Sequence, residues 1–164
     1  MNAGAAASRG RILLFLHADT RLPDSALADI LAALGSGSDW GRFDVRIDGR
    51  HVLLRVVEYL MNLRSRFTGI ATGDQAIFVR REVFQRIGGY PELPLMEDIA
   101  LSAALLRQSP PACLRETVLT SGRRWERHGL LRTILLMWWL RAAFFFGADP
   151  RRLAQRYGYR PRVD

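Results

Sequence analysis

Four short clusters carry residue types able to do chemistry in this chain. His17 and Asp19 stand two apart, directly after the apolar run Ile12 to Leu16. Gly73-Asp74-Gln75 precedes a second apolar run, Ala76 to Val79. Glu97 and Asp98 are adjacent at the start of a helical pattern, and Arg123-Arg124-Trp125 combines two guanidinium groups with an indole. In an extended chain, side chains two apart point to one face, so His17 and Asp19 can approach a single ion. Asp19 is a hard oxygen ligand of the kind Mg²⁺ or Mn²⁺ takes beside waters and substrate phosphates. His17 is softer and suits Mn²⁺ better. Glu97-Asp98 offers a general base, because neighbouring carboxylates resist double ionisation. The helix dipole pushes Asp98 the other way. The arginine forks suit phosphate, and Trp125 can stack on a ring. Plainer readings stand beside each of these: a turn cap at Asp19, an acidic helix start at Glu97-Asp98, and a basic surface turn at Arg123-Arg124-Trp125.

The elements that must hold these groups are legible in outline. Asn2 to Ser8 is alanine-rich and reads as a helix closing at Gly10. Ile12 to Leu16 is apolar throughout, as expected of a central parallel strand buried on both faces. Its polar C-terminal end is where open α/β sheets bind ligands. Pro23-Asp24-Ser25 starts a helix that stops at Gly35. Trp40 to Ile47 alternates, with Phe43, Val45 and Ile47 on one face, and reads as a half-buried strand. Leu53, Val56, Val57, Leu60 and Leu63 repeat at helical spacing between His51 and Phe67. A short helix ends at Gly88-Gly89, and Ala112 to Thr120 suggests a last strand.

At 164 residues the chain is one domain's worth, and 49% hydrophobic content places it in the globular class. A single cysteine, Cys113, excludes an internal disulfide and fits a reducing compartment. The net charge is +8, and every basic residue is Arg. Residues 1–114 carry 13 Arg against 12 acids, and residues 115–164 carry 11 against 4. The basic character therefore belongs to the last third, where it can face an anionic membrane, a phosphate-bearing substrate or nucleic acid. Leu130 to Gly147 is strongly apolar but includes Arg132 and Arg141. That is too short and too charged for a spanning helix, and its tryptophans and phenylalanines suit an interfacial helix or a buried core helix.

The ordered set of motifs resembles family 2 glycosyltransferases of GT-A fold. In order it comprises Asn2-x-Gly4, ILLFL with HAD at its end, GDQ at 73–75, GGY at 88–90, MEDIALS at 96–102 and RRW at 123–125. FLHADT, RFDVRI and GDQAIFVRR are similar to the subgroup described as arsenosugar-biosynthesis or radical-SAM/selenodomain-associated glycosyltransferases. The resemblance implies a Rossmann-like nucleotide-diphospho-sugar transferase fold, α/β, with a mixed, mostly parallel sheet flanked by helices. It divides the chain into 1–129, the C-terminal part of the GT-A domain, 130–148, an apolar amphipathic helix, and 149–164, a basic tail.

The implied activity is metal-dependent transfer of a sugar, with inversion, from a nucleotide-sugar donor to an acceptor. Asp19 matches the last acid of the DxD motif, with His17 in place of the first. Asp98 matches the catalytic base, with Glu97 before it. Gly73, Asp74 and Gln75 match the loop beside acceptor and donor sugar, and Arg124 and Trp125 match the end of a QxxRW-like motif whose Gln position is Ser121. Family members begin with a strand and helix that bind the nucleoside, so the expectation is an N-terminally truncated chain with weak turnover by itself. A lipid-linked acceptor, peripheral contact at the cytoplasmic face of the membrane and no nucleic-acid partner complete the reading. Its rivals are a non-catalytic binding domain of the same fold and a basic membrane-surface or nucleic-acid module.

Overall fold

The computed structural model describes residues 1–123 and 129–159. Five strands form one sheet: β1 (Ile12–Phe15), β2 (Thr20–Arg21), β3 (Trp40–Ile47), β4 (Ile77–Arg80) and β5 (Ala112–Thr120). Their order across the sheet is β1-β4-β3-β5-β2. The helices are α1 (Asn2–Ala7), α2 (Ala26–Gly35), α3 (Val52–Thr68), α4 (Arg81–Arg86), α5 (Glu97–Leu106), α6 (Leu130–Phe145) and α7 (Pro150–Arg156). A 3₁₀ turn at Gly73–Gln75 leads into β4.

The expected class, α/β with helices flanking a mixed sheet, is what the structure has. The expected predominance of parallel pairing is not. Among the described residues only β3 and β5 run parallel, while β1–β4, β3–β4 and β2–β5 are antiparallel. Nor is β1 central: among the described residues it lies at one edge. The reason lies in what an apolar run reports. Leu13 and Phe15 pack with Trp40, Ile77, Phe84 and Leu101 on one side of the sheet. Ile12 and Leu14 pack against the cluster of Ile30, Leu34, Phe43 and Phe78 on the other. Both faces are covered, which the sequence pattern records, but strand direction and sheet order leave no mark in it.

The sheet is curled, and the chain itself requires it. β1 and β2 occupy opposite edges of five strands, yet only residues 16–19 join them. Five Cα steps reach at most roughly 18 Å when fully extended. Four inter-strand spacings in a flat sheet come to about 19 Å. The link is not extended, since the Thr20 amide donates to the His17 carbonyl at 3.1 Å. The two edges must therefore approach each other at this end, and His17-Ala18-Asp19 crosses the mouth between them.

α3 takes the place of a strand beside the outer half of β3. β4 pairs with β3 only at Trp40 and Gly41, which leaves the later backbone groups on that side without a ladder partner. Asn62 brackets Val45, accepting from its amide at 2.9 Å and donating to its carbonyl at 3.0 Å. The Ile47 amide donates to Glu58, and Arg55 donates to the Ile47 carbonyl. Buried polar backbone groups need partners, and side chains of α3 meet that need. Arg42, fully buried on β3, pairs with Asp44, which also binds Arg66 of α3 at 2.6 Å.

α6 docks on α3 through Ile134 and, with α7, covers Met96 through Leu140 and Leu153. Leu140 is fully buried, while Leu131, Leu135, Trp138, Trp139 and Phe145 on other faces are exposed. So one face of this helix belongs to the core and another is open. No helix among the described residues is long and apolar enough to cross a membrane.

Candidate functional site

A cleft of about 380 Å³ opens at the curled end of the sheet. His17, Asp19, Asp74, Glu97 and Asp98 all line it, together with Thr120 and Ser121 from the end of β5. Three separate stretches of sequence thus converge, as their residue types suggested.

Each group is held by an identifiable device. The Gly73–Gln75 turn carries a reciprocal cap, in which Thr72 and Gln75 each bond the other's backbone. Gln75 is fully buried, accepting from the Thr72 amide at 3.2 Å. It therefore supports the turn from behind and does not line the cleft. Gly73 presents its amide to Asp98 Oδ2 at 2.7 Å, and Asp98 Oδ1 accepts from the Ile99 amide at 2.7 Å. One bond joins the two motifs, 25 residues apart in sequence. Upstream, the Asn2 amide group makes paired bonds of 2.9 Å each to the Tyr90 backbone, fixing the start of the loop that ends at Glu97.

His17 Nδ1 lies 3.3 Å from Asp74 Oδ1. Its other edge packs on Gly73, where an added Cβ would stand 2.2 Å from Nε2. Gly73 is thus required by close approach. The hydrogen bond to Asp74 raises the His17 pKa above 6.5, and the charges of Asp74, Asp98 and Asp19 add to this while burial opposes it. Burial also pushes the Glu97 carboxyl above 4.5; Asp98 adds to this, while the Glu97 backbone bond and His17 oppose it. Two non-glycine residues adopt left-handed backbone here, Ala76 at φ 48° just after the turn and Met96 at φ 66° just before Glu97. Such conformations cost about 1–2 kcal/mol, and they flank the two motifs that face each other.

Among the described residues, no three His, Cys, Asp or Glu groups gather as a protein cage for a metal. A Mg²⁺ or Mn²⁺ ion that keeps its waters and takes substrate oxygens needs only one or two carboxylates. Asp19, exposed at the rim, fits that demand. His17 does not fit as its companion, because one ring nitrogen faces Asp74 and the other lies against Gly73. Asp19 also faces a neighbouring hollow of about 420 Å³ with Arg21, Asp48, Ser121 and Arg123. Arg123 Nε donates to Ser121 Oγ at 3.0 Å. Arg124 and Trp125 lie outside the described residues.

Several lining groups escaped the sequence reading. Thr133, Met137 and Arg141 come from α6, and Tyr157 and Tyr159 follow from the C-terminal segment. A signal existed for Arg141, a charge within an apolar helix, but it spoke only against membrane spanning. The helix at 130–148 therefore forms part of the same cleft as residues 1–129. No family model, curated protein or solved structure matches the chain.

Proposed function

We propose that this chain is a glycosyltransferase of GT-A type, transferring a sugar from a nucleotide-sugar donor to an acceptor hydroxyl with inversion. The observation that carries the reading is the convergence of Asp19, Asp74 and Asp98 on one cleft, in the chain order that family 2 enzymes use. Asp98 is the base. Its two backbone hydrogen bonds orient it, and a carboxylate offers about four lone-pair positions, so acceptor capacity remains. It takes the acceptor proton as the oxygen attacks the anomeric carbon. The bond to the nucleoside diphosphate breaks on the opposite face, and the product is inverted. Asp19 would hold the divalent metal, Mg²⁺ or Mn²⁺, which when bound offsets charge on the leaving diphosphate. His17, kept cationic to higher pH by Asp74, adds positive charge on the same side. Arg21 and Arg123, which line the adjoining hollow, would contact the diphosphate oxygens.

The test measures nucleoside diphosphate release from a panel of UDP- and GDP-sugars with Mn²⁺ present. Asp98→Asn is expected to lower release by roughly 10²–10⁴-fold while donor binding persists. Undiminished turnover in that variant removes Asp98 from the role. Binding without release across the panel points instead to a non-catalytic domain that kept the fold.

A further inference from the structure

A second cavity, about 440 Å³, lies between α3 and α6. Its walls are Val56, Leu60 and Phe67 from α3 with Ile134 and Trp138 from α6. Phe67 is 83% exposed and Trp138 62%, so the groove is open to solvent along its length. Two arginines, Arg64 and Arg141, also line it. Among the described residues, Arg64 Nε and Nη2 and Arg141 Nε are buried with no hydrogen-bond partner.

This pair is unusual within the molecule. Arg42 also buries an unpartnered Nε but pairs with Asp44, and Arg80 and Arg81 bond backbone carbonyls. Among the described residues, Arg64 and Arg141 have neither. Burial pushes the Arg64 guanidinium down to about 10, with the charge of Arg141 adding to the effect and Asp98 opposing it. Arg141 moves down for the same first reason, while Asp98 and Asp74 oppose it. Both remain protonated at neutral pH. Guanidinium nitrogens buried without a hydrogen-bond partner are costly, so a matching anion placed there is favoured.

We propose that this groove binds a lipid phosphate: a long alkyl or isoprenyl chain ending in a phosphate monoester. The apolar walls demand an apolar body, which excludes a free nucleotide as occupant. Two guanidinium forks match a dianion with three terminal oxygens better than a carboxylate, which one fork satisfies. The volume lies in the range of small-molecule sites. Met61, Asp74, Met137 and Arg141 line both this groove and the cleft, so the bound head group sits at the cleft's edge. The binding stands whether or not the cleft transfers a sugar.

The experiment titrates the full chain with dodecyl phosphate below its micelle concentration, following calorimetry and the melting temperature. Saturable binding near one per chain is expected, with a rise in melting temperature as the ligand stabilises the folded state. Dodecanoate should bind at least tenfold more weakly. Dodecyl maltoside and inorganic phosphate alone should show no saturable binding. R64Q/R141Q should lose at least tenfold in affinity, and its unliganded melting temperature should not fall, because it removes guanidinium nitrogens that are buried without a hydrogen-bond partner. Equal binding of the neutral amphiphile, or unchanged binding by R64Q/R141Q, overturns the proposal in favour of apolar contact alone. Inorganic phosphate binding as tightly as dodecyl phosphate overturns it in favour of a free-phosphate site.

Discussion

Replacing Gly73 by alanine separates the site from the fold. The new methyl would stand 2.2 Å from His17 Nε2 and 2.6 Å from Cε1, far inside contact distance. One partner must move. The Gly73 backbone is held by its bond to Asp98 and by the capped turn, whereas the His17 side chain is 38% exposed. The imidazole therefore swings out, and its contact with Asp74 is lost. For a pair this exposed the loss is small, about 0–1 kcal/mol. The Gly73 backbone does not need positive φ, so alanine adds no strain and restricts the unfolded chain, a gain of about 0.4–1 kcal/mol. The two effects nearly cancel, and the urea midpoint should barely shift. The His17 pKa should instead fall back toward 6.5. Only 3 histidines are present, so proton NMR can follow the His17 ring directly. Because the folded-state pKa is raised, the His17–Asp74 pair contributes fully below pH 6.5 and fades as pH climbs through the folded value; G73A should abolish that dependence. An unchanged His17 titration in G73A would refute the packing on which the site is built.

Other perturbations have equally definite outcomes. Asn62→Ala orphans the Val45 amide and carbonyl and should destabilise the chain by roughly 2–4 kcal/mol in urea unfolding. At position 96 the usual order should invert, with Met96→Gly more stable than Met96→Ala by about 1 kcal/mol, since only glycine adopts φ 66° without strain. Both variants should lie below the parent, which buries Met96 against Leu140 and Leu153. The Glu97 pKa is raised in the fold, so the unfolded chain releases its proton first and stability declines as pH rises above 4.5. Glu97→Gln should remove that part of the decline in melting temperatures measured across pH 4 to 7.

Much of this was legible because local patterns have local causes. The helices at 26–35, 52–68 and 97–106 follow from turn signals and apolar spacing, and the strand at 40–47 from its alternation. Asp19, Asp74 and Asp98 could be picked out as polar groups after a strand, in the turn before one, and at a helix start. What connects them could not. The antiparallel placement of β1 depends on β4, whose partner residues lie 62 to 68 positions away, Ile12 opposite Arg80 to Phe15 opposite Ile77. The alternation of β3 likewise hid Arg42, which faces no solvent because Asp44 and α3 enclose it. Gln75 illustrates a different limit. Its polarity suggested ligand contact, yet the nearest polar need was its own turn. Arg64 and Arg141 stand 77 positions apart in sequence, and neither helix pattern hints that they line one groove.

The link that crosses the mouth of the sheet also behaves as a tether with unequal anchors. β1 is fastened to β4 through four residue pairs, whereas β2 is fastened to β5 through two, plus one threonine–threonine bond of 3.1 Å. The anchor with fewer pairs is expected to release first in local opening. His17 stays with the firm end, against Gly73 and Asp74, and Asp19 departs with the loose one. Local opening at that end would release the rim carboxylate while leaving the histidine and Asp98 with their partners. The two halves of HAD, one turn apart, belong to different stability classes.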